Sequence, residues 1–197
     1  MNTVIMGDYM SVLTVQHAFF KLLRNEHRQI EQSLELMLKN DDNKIYAEWL
    51  WQNAELTHHF KEETLLFNSL VDNLHVNSGG PLCMLFFDNY ILYPPLEECK
   101  KITGKIPELE EHQKKIFDIG SSMQVPVNEH RAGKEILKFT LNSWSEINLS
   151  ERMKNLKQYA EIQREHLNKE ENCFFYLCAD LLTVEQADLL LKKWNQK

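Results

Sequence analysis

A four-residue segment, Asn25-Glu26-His27-Arg28, returns 103 positions later as Asn128-Glu129-His130-Arg131. A second pair of segments does the same. His58-His59-Phe60-Lys61-Glu62-Glu63 is echoed by His166-Leu167-Asn168-Lys169-Glu170-Glu171, and each is followed three residues on by Leu66-Phe67 or Phe174-Phe175. Each half of the chain therefore supplies one histidine, a connection, and then His-x-x-Lys-Glu-Glu. A His and a Glu four apart lie one helical turn apart on the same face, so His58 with Glu62, and His166 with Glu170, can both point inward. An unpaired carboxylate in a low-dielectric core protonates or destabilises the fold. A bound metal ion removes that objection.

The surrounding pattern predicts helices. Phe20, Leu23, His27, Ile30, Leu34 and Met37 recur at helical spacing between Val12 and Lys39, and Asn40-Asp41-Asp42-Asn43 interrupts them. A second helix is expected from Lys44 to about Leu74, a third from Pro126 to about Trp144, and a fourth from Ser150 to about Leu181. Thr183 and Gln186 have the spacing of a capping box that opens a last helix. Pro94-Pro95 cannot lie inside an uninterrupted helix, and a short helix is expected between Pro107 and Gly120. With only six glycines and five prolines, a turn-rich β fold is disfavoured. The expectation is one all-α domain over residues 1–197. It would be an antiparallel four-helix bundle with a helical insertion at 75–122 and an extra C-terminal helix.

Height along such helices can be compared. His27 lies 13 residues before Asn40, and His58 lies 15 after Asn43. At about 1.5 Å per residue the two fall within roughly one turn of the same level. His130 lies 12 residues before Asn142, and His166 lies 16 after Ser150. The expected metal ligands are His27, His58, Glu62, His130, His166 and Glu170. Six donors exceed the four of a closed structural zinc site and suit two ions with each Glu able to bridge them. Imidazole with carboxylate favours iron, with manganese or zinc as alternatives. Two choices stay open. His112 competes with His130 for the third-helix position. His59 with Glu63 is a second in-register pair beside His58 with Glu62; alignment of the repeats favours the latter, and packing does not decide.

The net charge of -7 argues against a general electrostatic grip on nucleic acid or an anionic membrane. No secretion signal and no apolar run of transmembrane length is evident, so the cytoplasm is the expected compartment. None of the four cysteines forms a C-x-x-C pair. Cys173 and Cys178, in an apolar run, are expected to be buried free thiols.

The segments Asn25-Glu26-His27-Arg28, His58-His59-x-Lys61-Glu62-Glu63, Glu129-His130-Arg131-Ala132-Gly133-Lys134 and His166-x-x-Lys169-Glu170-Glu171 resemble the hemerythrin-like (HHE cation-binding) family. The matching helices cover about three-quarters of the chain. The resemblance implies a four-helix bundle around an oxo- or hydroxo-bridged di-iron centre. It further implies a protein that binds or senses dioxygen, nitric oxide or peroxide, or iron itself. An enzyme that reduces peroxide or nitric oxide would use the same ligands. Relatives that repair iron–sulfur centres carry an N-terminal cysteine-pair domain that does not occur here, so a binding or sensing role is the expectation.

Overall fold

The computed structural model describes residues 12–40, 43–71, 95–118 and 123–196. Among them every regular element is helical. α1 is Ala18–Lys39. α2 runs over residues 43–71, with wide π-helical stretches at Trp51–His58 and Glu62–Phe67. Two short helices follow, α3 at Pro95–Thr103 and α4 at Glu111–Asp118. α5 is Gln124–Asn142. α6 runs over residues 149–181 and widens at Glu170–Phe174, and α7 is Val184–Trp194.

The starts of the helices follow local chemistry. α1 opens at Ala18 rather than Val12, because the backbone turns first and the His17 N–H donates to the Thr14 carbonyl at 2.9 Å. His17 then caps the helix, its Nδ1 accepting the Phe19 N–H at 3.2 Å, and its Nε2 pairs with Asp188 at 3.2 Å. Pro95 is the first residue of α3 and Pro126 lies in the first turn of α5, where a missing N–H leaves no helical bond unmade. Residues 107–110 stay irregular and α4 starts only at Glu111; the Pro107 carbonyl accepts a bond from the Arg131 guanidinium instead. Thr183 and Gln186 form the expected capping box. The end of the second helix near Leu74, His75, and the parts of the 75–122 insertion at 75–94 and 119–122 lie outside the described residues.

α1 packs along α2 and α6, and α5 packs along α6 and against α2. α3 lies on α5, while α7 contacts α1 and the second wide stretch of α2. Two apolar clusters result. One gathers Phe19, Phe20, Leu23, Leu66, Phe67, Phe174, Phe175 and Trp194; the other gathers Ile30, Leu34, Leu50, Ala54, Ile136, Leu156 and Tyr159. Each fully buried Leu, Ile or Phe contributes about 1.5–3 kcal/mol. Along α1 the sequence passes from Leu23 in the first cluster to Ile30 in the second, with buried His27 between. Along α2 it passes from Ala54 to Leu66 with His58, His59 and Glu62 between. A polar stratum is thus held between two apolar ones.

Cys99 and Cys178 are buried free thiols. Cys173 departs from the expectation: it is only half-buried and is disulfide-bonded. No helix among the described residues is long and apolar enough to cross a membrane.

Candidate metal centre

All six expected ligands meet in the polar stratum, and a seventh, His59, joins them. His27, His58, Glu62 and Glu170 form one group of donors whose ligating atoms lie within 4.8 Å of one another. His59, Glu62, His130 and His166 form a second such group, and Glu62 belongs to both. Its Oε1 is 3.2 Å from His58 Nε2 on one side, and its Oε2 is 3.5 Å from His130 Nε2 on the other. Glu170 Oε2 lies between His27 Nε2 at 3.4 Å and His166 Nε2 at 3.5 Å.

His59 and His58 are neighbours in sequence, yet both face inward. At ~100° per residue, Glu62 falls ~40° from His58 and ~60° from His59 around the helix axis. The three side chains therefore share one face, with Glu62 in the middle. His58 and Glu62 thus face inward together, and of the alternative pair only His59 does. Glu63 instead turns outward behind His130. The wide turns at Trp51–His58, Glu62–Phe67 and Glu170–Phe174 abut the donors, as such turns often do at functional sites.

Each of the five imidazoles is held from behind by a carboxylate at Nδ1. Glu171 holds His27 at 3.0 Å, Glu26 holds His58 at 2.7 Å, and Glu55 holds His59 at 3.1 Å. Glu63 holds His130 at 2.9 Å and Glu129 holds His166 at 3.1 Å. A carboxylate accepts, so Nδ1 carries a proton, and in the neutral imidazole Nε2 is left to turn its lone pair inward. The inward Nε2 atoms of His27 and His58 then stand 3.1 Å apart, and those of His130 and His166 3.0 Å apart. His59 Nε2 and both oxygens of Glu62 and of Glu170 are buried without a hydrogen-bond partner among the described residues. Buried polar atoms are rarely left so. Convergent lone pairs and bare carboxylate oxygens fit a cation.

His112 stands one layer further out. Its Nε2 bonds Glu63 Oε2 at 2.6 Å, and the Gln113 amide donates to both oxygens of the same carboxylate at 3.0 and 2.9 Å. His112 therefore reaches His130 only through Glu63, and α4 takes part in the site without supplying a donor to it.

Charge accounts for the protonation pattern. Burial alone would lower His58, but the charge of Glu62 and the bond that His58 donates to Glu26 outweigh it and push the imidazole up to about 9. Burial and the neighbouring His130 push His59 down to about 4. Burial opposes ionisation of Glu63, but the bonds from His112 and His130 prevail and hold it down at about 2. Burial would also lower His27, and it is raised well above the ordinary range by Glu170 and Glu171.

Four of the five backing carboxylates recur in the sequence. Glu26 and Glu129 precede the histidine in both copies of Asn-Glu-His-Arg, and Glu63 and Glu171 close both copies of Lys-Glu-Glu. Their recurrence was the available signal. Glu55 has no acidic counterpart in the second half and carried none.

The chain matches no protein-family model, no curated protein and no solved structure.

Proposed function

We propose that the chain is a non-haem di-iron protein built on a hemerythrin-like four-helix bundle. In this reading it binds or senses a small ligand such as dioxygen, nitric oxide or peroxide. The observation that carries the reading is the pair of four-donor groups sharing Glu62. His27 and His58 would hold one ion, His59, His130 and His166 the other, and Glu62 and Glu170 would lie between them. Iron at this position supplies reversible one-electron chemistry and Lewis acidity toward a small ligand. The unequal division, two imidazoles against three, makes the His27–His58 side the natural place for that ligand. Phe175 stacks on His27 at 5.4 Å and Phe67 on His130 at 5.8 Å. These rings, with Phe20 and Phe174 behind them, exclude water from the donor cluster.

Protein reconstituted anaerobically with ferrous iron should contain close to two ions per chain and, once oxidised, absorb in the near ultraviolet by charge transfer. One ion or none in carefully loaded protein would sink the di-iron reading. Multiple turnovers of peroxide or nitric oxide under a reductant would replace binding or sensing by catalysis at the same donors.

A further inference from the structure

Tyr159 is fully buried on α6, and its hydroxyl donates to Glu55 Oε1 at 2.8 Å. The other oxygen of Glu55 holds His59 Nδ1 at 3.1 Å. The Gln163 amide donates to the same Oε1 at 3.0 Å, so the carboxylate receives three donors from the protein. Room for this arrangement comes from Gly133 on α5. A Cβ there would stand 2.5 Å from Gln163 Nε2 and 3.5 Å from the Tyr159 ring. A buried carboxylate is costly unless its bonds are satisfied. The second half avoids that cost, with the uncharged Gln163 and Leu167 at the corresponding positions. The first half instead spends a buried charge to join a phenol to an inward imidazole.

We propose that Tyr159 is a one-electron donor to the centre, with Glu55 as the acceptor of its proton. This rests on the di-iron reading. With hydrogen peroxide as oxidant, two electrons and two solvent protons convert it to two waters. One electron comes from ferrous iron and one from the Tyr159 phenol. The phenol O–H bond breaks, its proton passes across the 2.8 Å bond to Glu55, and a phenoxyl radical remains. A phenol loses an electron readily only if its proton leaves at the same time, and a carboxylate already accepting that hydrogen bond takes it without diffusion. Closed off from water by the second apolar cluster, the radical would be protected.

The test uses the full chain loaded with iron and poised with one ferrous and one ferric ion. Addition of hydrogen peroxide and rapid freezing should give an organic-radical signal in electron paramagnetic resonance. Its hyperfine structure should collapse when the protein is grown on ring-deuterated tyrosine. Tyr159→Phe should abolish the signal while retaining the iron content and the charge-transfer band of the parent. Iron-loaded parent protein that reacts with peroxide and yields no tyrosine radical overturns the inference and leaves the di-iron reading intact. So does a radical that persists in Tyr159→Phe. Parent protein that takes up no iron pair overturns both.

Discussion

Residues 18–71 and 124–181 surround the centre in the same way and then part at three positions. In both, the Glu of Asn-Glu-His-Arg holds the histidine of the following helix: Glu26 with His58, Glu129 with His166. In both, the last Glu of Lys-Glu-Glu crosses to the other half: Glu63 to His130, Glu171 to His27. The differences begin with His59, whose counterpart is Leu167. Glu55, which holds His59, corresponds to Gln163, and the two side chains bond each other across the centre at 3.0 Å. Lys169 donates to Glu129, whereas its counterpart Lys61 turns to the Trp194 carbonyl at 2.7 Å and the Trp194 indole takes its place on Glu26 at 3.0 Å. A duplicated frame can hold two ions symmetrically. These departures make one side richer in imidazole and couple the other to α7.

The sharpest way to break the comparison is to remove the two inward glutamates in turn. If the halves were equivalent, Glu62→Ala and Glu170→Ala would behave alike. Because Glu62 gives one oxygen to each group while Glu170 faces both through Oε2 alone, Glu62→Ala should lose both ions. Glu170→Ala should keep close to one. Metal analysis after anaerobic loading decides; equal losses would restore the symmetric description.

His59→Leu restores the second half's His-Leu pair in the first half. It should remove one ion and leave the His27–His58 group able to bind, so loaded protein should hold close to one ion. Retention of both would show that three imidazoles are not needed on that side.

The acid–base difference between the neighbours His58 and His59 gives a third test. His58 is protonated in the metal-free chain up to about pH 9, and His59 is neutral above about 4. A metal binds the neutral imidazole, so uptake must displace the proton from His58 and not from His59. Raising the pH removes the competing protons from His58 and from His27, which is raised as well, and apparent affinity should climb by up to about tenfold per pH unit for each proton released, the His58 share flattening above about 9. Titrations at several pH values measure the slope. A flat profile from neutral pH upward would mean that neither His58 nor His27 is a ligand.

The smallest effect is expected where the two candidates for the third-helix position differ. His130→Ala should cost one ion. His112→Ala removes one of the partners of Glu63 and leaves the Gln113 bonds, so affinity should fall by less than the ~10–100-fold typical of a direct supporting partner. Complete loss of an ion in His112→Ala would put α4 at the centre itself.

Much of this was legible along the chain. Helical periodicity marked the inward faces of α1, α2, α5 and α6. The repeats marked His27, His58, Glu62, His130, His166 and Glu170, and the capping residues marked α7. These are statements about angle and height on one helix axis, which residue spacing determines directly. What spacing could not decide was distance between axes. Only the packed structure shows that His58 meets His27 and Glu170 while His59 meets His130 and His166. It alone shows that His112 stops at Glu63 while His130 reaches the centre. It also shows that Glu63 and Glu171 cross between halves and that Trp194, 168 residues from Glu26, reaches its carboxylate. Each of these contacts joins residues far apart in the chain. Their geometry depends on how closely the helices approach, which the two apolar clusters set and no local motif encodes.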